Sequence, residues 1–226
     1  TTGNIQIASA GGTVTLDSGG SPANVVSTLS TGTITIDANG ATSDIVVNDG
    51  ISTVSGDITL DADNDIIFAA EGDITSTSGN VAITADKDSG GSSSGLLTMN
   101  DGTLINAGSG TIVLSADQDI TLGGLLTTNT GNTAVTLTST EGGIVDGGAT
   151  TVDVVATGGR LVIDAVTGVG VAGAIDTTVA SLDLDNATSG NVDLAETNAI
   201  TVVKAVQATT GNIQIASAGG TVTLDS

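Results

Sequence analysis

Short runs of alternating apolar and polar residues recur along the whole chain, each opened by a glycine or a small polar residue. GNIQI, GTITI, GDITL, GNVAI, GTIVL, NTAVTL, GRLVI, GNVDL and a second GNIQI follow one another. Their first apolar residues are Ile5, Ile34, Ile58, Val81, Ile112, Val135, Leu161, Val192 and Ile213. Such alternation puts Ile, Leu and Val on one face of an extended strand and Thr, Asp, Gln and Ser on the other. Further apolar pairs follow each opener. Ile58 and Leu60 lead to Ile66 with Phe68 and then Ile74; Ile112 and Leu114 lead to Ile120 with Leu122 and then Leu126. The spacing predicts three short strands per turn of a coil. β-Branched residues dominate and helical spacing is sustained almost nowhere, which disfavours stacked helices.

A longer period lies above this one. Residues 1–18 and residues 209–226 both read TTGNIQIASAGGTVTLDS, an offset of 208 residues. Residues 1–208 therefore read as one tandem unit and 209–226 as the start of the next. The openers divide the unit into eight turns of about 26 residues. A sandwich or barrel could use the same strands, but those folds close on themselves. A parallel β-helix extends without limit by stacking each turn on the last. At ~4.8 Å per turn, one unit should rise roughly 38 Å. A lone turn cannot fold, so stability has to come from ladders and aliphatic stacks running between turns.

Composition fits an all-β coil. The chain has no cysteine, tryptophan, tyrosine or histidine, one proline and one phenylalanine, Phe68, so the core must be aliphatic, while 33 glycines serve corners. Missing cysteines exclude a disulfide framework and thiolate metal sites. Lys87, Arg160 and Lys204 face 25 acidic residues, a formal charge of −22. That charge argues against nucleic acid and anionic lipid surfaces as partners. Charged residues make up only 12% of a chain that is 38% hydrophobic, which is not the composition of a disordered acidic tail. No stretch approaches the ~20 apolar residues of a membrane helix, and no leader pattern opens the chain. A soluble segment without membrane insertion is expected, with any secretion signal outside these residues.

GDITL at 56–60, GGIVDG at 142–147, TGVG at 167–170, AIDTTVASLDL at 174–184 and GNVDL at 190–194 together resemble the haemagglutinin-type repeats of filamentous-haemagglutinin-like adhesins and giant bacterial exoproteins. The resemblance implies a right-handed parallel β-helix, export to the bacterial cell surface or the extracellular space, and a role in adhesion, aggregation or matrix. No Arg-Gly-Asp tripeptide or recognisable binding module accompanies it.

Several motifs invite sharper chemistry. Gly168 to Gly173, GVGVAG, fits the glycine spacing of a dinucleotide loop, with Asp185 downstream. It lacks the surrounding alternation of strands and helices, so a glycine-rich corner is expected. Ile175, Val179 and Leu182 could share a helical face, yet their segment is β-branched. Asp61-Ala-Asp63-Asn-Asp65 begins like a calcium loop, but Ile66 stands where the glycine belongs. Counting along the turns brings Asp63, Asp86 and Asp117 to one corner of three successive coils, with Asp37, Asp61 and Asp164 nearby. Asp61, Asp63, Asp86 and Asp117 are thus a candidate Ca²⁺ column, because carboxylates ~5 Å apart repel and a cation or high salt would relieve them. The plainer reading is a solvated corner that keeps fibres soluble. Asn186-Ala-Thr188 is an isolated glycosylation sequon.

Catalysis is not expected. The chain lacks histidine and cysteine and the aromatic platforms of sugar-cleaving β-helices, and its three cations lie far apart in sequence. No cofactor other than Ca²⁺ is suggested. The expected function is a structural shaft or spacer of an extracellular bacterial fibre, whose partners are neighbouring identical repeats. The alternative is an adhesin surface contacting glycans or other cells. The two 31-residue intervals between openers, holding KDSGGSSSG and TGVGVAG, read as loops and not as binding domains.

Overall fold

The computed structural model describes residues 3–19, 24–88, 95–148 and 152–225. An inward aliphatic at every second position, broken by a small residue every few positions, forces the chain into short strands that bend inward around one core. The result is an all-β parallel solenoid of about eight turns, the right-handed parallel β-helix expected from the sequence. Each turn crosses three faces. On face A, Ile5, Ile34, Ile58, Val81, Ile112, Val135, Leu161, Leu182, Val202 and Leu224 lie in parallel register. Face B aligns Val14, Ile45, Ile66, Leu97, Ile120, Ile144, Val169, Val192 and Ile213. Face C aligns Val26, Ile51, Ile74, Ile105, Leu125, Val154 and Thr177. Backbone N–H groups of one turn donate to carbonyls of the next: Ile34 to Asp57, Ile58 to Asn80 and Val81 to Thr111, each at 2.9 Å.

The core follows from the register. Like residues stack, so an inward Ile meets Ile, Leu or Val above and below and loses nearly all its contact with water, the dominant favourable term here. Phe68 is fully buried on face B between Val47 and Met99. Small side chains close the far end of face A, where Ala38, Ala62, Ala85 and Ala116 bring the chain to a corner.

A column of glycines fixes the corner between faces C and A. A Cβ added at Gly56 or Gly79 would lie 1.9 Å from the carbonyl oxygen of Gly32 or Gly56 one turn below. At Gly110 it would lie 2.1 Å from that of Gly79. Close approach of successive turns excludes any side chain there. Thr and Ser hydroxyls on the inner end of face C tie the same corner: Gly56 and Gly79 donate their N–H groups to Thr53 Oγ1 and Ser76 Oγ at 3.0 and 2.8 Å.

Two expectations need correction. Val192 and Ile213 do not return to the ladder of Ile5; both lie on face B. Face A instead continues through Leu182 and Val202. The coil closes in 21 residues from Leu161 to Leu182 and 20 from Leu182 to Val202, against 31 from Val81 to Ile112. The tightening has a local cause. In Val154–Ala165 and Ile175–Asn186 a single strand runs round from face C to face A without a loop. Val192–Glu196 likewise spans from beside Val169 to beside Thr177 with nothing matching the Gly170–Ala174 excursion. The second correction is Leu126, which points outward while Leu125 is buried. Only Gly123 separates Ile120–Leu122 from Gly124–Leu126, and this one-residue connection shifts the alternation. Ile175, Val179 and Leu182 belong to a strand, as their β-branched neighbours required. Of KDSGGSSSG, residues 89–94 lie outside the described residues.

Gly79→Ala should lower unfolding stability by roughly 2–3 kcal/mol through overpacking against a backbone that cannot yield. Gly11→Ala, with nothing within 4 Å of the added carbon, should leave it nearly unchanged. Urea unfolding followed by circular dichroism compares the two.

Candidate functional site

Asp63, Asp86 and Asp117 do leave face A at the same corner of three successive turns, directly after Ala62, Ala85 and Ala116. Asp37 and Asp61 stack outward in register, with Thr84 above them. Asp86 adopts φ 55°, a left-handed conformation that aspartate tolerates better than most residues. The bend sends Lys87 back over the earlier turns: its N–H donates to Ala62 O at 3.0 Å. Its ammonium lies 2.7 Å from Asp37 Oδ1, 3.0 Å from Asn39 Oδ1 and 3.8 Å from Asp63 Oδ1.

The electrostatics follow from this geometry. Burial raises the pKa of Asp61 and the charge of Asp37 adds to it, against a hydrogen bond from Thr84 and the charge of Lys87. Burial opposes the charge on Lys87, but the hydrogen bond to Asp37 and the charges of Asp37, Asp63 and Asp61 outweigh it and raise its pKa. The chain thus places its own cation among Asp37, Asp61 and Asp63. Asp117 is engaged one turn further on, accepting from Thr140 Oγ1 at 2.5 Å. Among the described residues no group of three carboxylates is placed to hold a metal ion. Beside the corner, Lys87, Asp86, Ser115, Asp117 and Thr140 line a cavity of about 130 Å³, below the ~300 Å³ at which small-molecule pockets begin.

A second such pairing lies further along face A. Asp164 faces Asp185, and Asp183 faces Lys204, whose ammonium pairs with Asp185. Burial and the Asp185 charge raise the Asp164 pKa, with Lys204 opposing. Arg160 donates from Nε to Ser181 Oγ at 3.3 Å. Arg160 and Lys204 therefore serve the outer surface of one stretch of face A, and Lys87 that of its earlier turns.

Sequence reasoning missed the commonest job of the acidic and amide residues. At strand entrances an Asn or Asp oxygen accepts the backbone N–H of the residue one turn later. Asn4 accepts from Thr33 at 3.1 Å, Asp57 from Asn80 at 2.8 Å and Asn80 from Thr111 at 2.9 Å. Asp73 accepts from Leu104 at 2.7 Å, Asp119 from Gly143 at 2.7 Å and Asn191 from Asn212 at 3.1 Å. Charged acceptors make the stronger version of this bond. The signal was present in the recurring Gly-Asn and Gly-Asp openers.

Two buried carboxylates were also missed. Glu196 faces inward beside Thr177 and accepts from Thr177 Oγ1 at 2.8 Å, Asn198 N at 3.1 Å and Val179 N at 3.2 Å. Burial raises its pKa and these bonds oppose the rise. Asp153 is 1% exposed; Oδ2 accepts from Asp176 N at 2.7 Å and Oδ1 has no hydrogen bond. Burial pushes its carboxyl up to about 7, the Asp176 N–H opposing and the charges of Asp146, Asp176 and Asp101 reinforcing.

The remaining motifs resolve into structure. GVGVAG is a corner in which Gly168 and Gly170 take φ 129° and 76° and Val169 alone joins face B. Asp185 pairs with Lys204. Asn186 of the sequon is fully buried, its amide donating to Ser189 O at 2.8 Å and Gln207 Oε1 at 2.7 Å. Fold and surface together define a parallel β-solenoid with an acidic exterior. Neither a family model, a curated protein nor a solved structure matches the chain.

Lys87→Ala leaves Asp37, Asp61 and Asp63 without their cation and, because the pair is partly exposed, should cost about 1 kcal/mol. Raising NaCl from low to molar concentration should recover more stability in this variant than in the parent, read from paired Tm values. For Asp153 the folded pKa exceeds the unfolded one, so stability is lost as pH rises from about 4 through 7. Asp153→Asn should therefore raise Tm most above pH 7 and little at pH 4; a gain independent of pH would contradict the burial of this charge.

Proposed function

We propose that the chain is a load-bearing segment of the shaft of an extracellular bacterial fibre or surface filament, and not an enzyme. The supporting observation is the continuity of the ladders: each described turn hands its strands to the next, with no inserted domain between described residues. Such a coil supplies length and stiffness through hydrogen bonds parallel to its axis. The acidic exterior keeps neighbouring shafts apart and soluble. The likeness of the openers and of AIDTTVASLDL to filamentous-haemagglutinin-like repeats agrees with this role and with a place on the bacterial surface.

The reading makes the segment a spacer whose partners are further copies of itself. Excising one 208-residue unit from the parent protein should shorten its fibre by roughly 40 Å, seen by electron microscopy, and leave attachment to cells or glycan unchanged. Loss of attachment at unchanged length would favour the adhesin reading instead.

A further inference from the structure

Asn39 is the one asparagine of the chain that is followed by glycine. The backbone N of the residue after an asparagine can close a five-membered ring on the side-chain carbonyl carbon, and a glycine there leaves the approach unhindered. The corner fixes this pair. Gly40 takes φ 115°, and a Cβ added to it would lie 3.0 Å from Ser43 Oγ and 3.4 Å from Gly11 Cα. Asn39 follows Ala38 at the end of face A, one turn below Asp63, which follows Ala62.

Each polar group that such a ring closure changes already has a partner suited to the change. Lys87 Nζ donates to Asn39 Oδ1 at 3.0 Å, so an ammonium faces the oxygen on which negative charge develops. The charges of Asp37, Asp63 and Asp61 keep that ammonium protonated. Gly40 N–H donates to Asp63 Oδ2 at 2.6 Å, which places a buried carboxylate on the proton that the attacking nitrogen must lose. Asn39 Nδ2, the leaving nitrogen, donates to Ser9 O at 3.0 Å. The second carbonyl of the ring is that of Asn39 itself, whose oxygen accepts from Ser43 Oγ at 2.9 Å. Asn39 is half-exposed, so water reaches the ring once it has formed.

We propose that Asn39 is a self-modification site, where the fold converts the asparagine to a succinimide and then to aspartate or isoaspartate. Gly40 N bonds to Asn39 Cγ as Asp63 takes its proton. The bond from Cγ to Nδ2 then breaks, and the proton leaves with that nitrogen as ammonia. Water next adds to one ring carbonyl and breaks its bond to Gly40 N, so one water enters and one ammonia departs overall. Lys87 is unchanged throughout. The aspartate product extends the corner of Asp63, Asp86 and Asp117 by one turn and sets a fourth carboxylate beside Lys87, with Asp37, Asp61 and Asp63. The isoaspartate product lengthens the main chain of the corner by one carbon. Either change is irreversible, so the converted fraction rises with the age of the protein.

The test compares the 226-residue chain folded in buffer with the same chain unfolded in guanidinium chloride, both held at neutral pH and followed by peptide mapping with mass spectrometry. Asn39 should be the first asparagine converted in the folded chain, and at a rate about tenfold or more above that of the unfolded chain. Conversion no faster in the folded chain would overturn the proposal, because the fold would then shield Asn39 and not activate it. This comparison needs no variant. Lys87→Gln and Asp63→Asn, once circular dichroism shows them folded, should each remove most of the excess rate, while Lys87→Arg should keep it. Conversion at the parental rate in folded Lys87→Gln and Asp63→Asn would overturn the roles given to these two side chains, and the proposal with them.

Discussion

Everything in this molecule depends on the distance between one turn and the next. Parallel strand pairing holds it near 4.8 Å, and no turn encloses enough apolar surface to fold alone. The inward aliphatics, the glycine corners and the side-chain acceptors are all answers to that spacing. Ile on Ile and Leu on Leu fill the interior without aromatic bulk, because each side chain packs against its counterpart above and below. A larger ring has no partner of its own shape, and Phe68 is accommodated only where flexible Met99 lies over it.

The same spacing turns an acidic composition from a liability into a framework. Carboxylates repeated every turn repel one another when they face solvent in register, as Asp37 and Asp61 do. Two answers are built in. Lysines are placed beside two of the stacks, Lys87 at the first and Lys204 at the second. Elsewhere the carboxylate turns along the axis and accepts an N–H from the following turn, as Asp57, Asp73 and Asp119 do. Much of the negative charge is thereby spent on cohesion between turns.

Most of the fold was legible in the sequence, because alternation and the Gly-Asn or Gly-Asp opener are local and repeat. The three faces, the strands at Ile58, Ile66 and Ile74, and the corner shared by Asp63, Asp86 and Asp117 could all be counted out. What could not be counted was phase. The opener at Val192 looks like those before it, yet its face depends on how many residues the preceding corners consume. Val154–Ala165 consumes none where earlier turns used a loop. The Leu125 and Leu126 exchange has the same origin in a one-residue connection. Glu196 and Asp153 were illegible for another reason: an acid that faces inward leaves no mark on the alternation when a small or polar residue is also acceptable there. The role of Lys87 was hidden because its partner Asp37 lies fifty positions away.

The strand-entrance acceptors give the coil a direction. In each of these pairs the side-chain oxygen belongs to the earlier turn and the N–H to the later one, from Asn4 and Thr33 to Asn191 and Asn212. The strand edges carry both N–H and C=O groups at either end, so it is these side chains that make the two ends of the coil unlike. A second coil stacked head to tail keeps each such acceptor on its donor, whereas one stacked with like ends together does not. That head-to-tail stacking is a heterologous contact, which does not close on itself as a twofold dimer does.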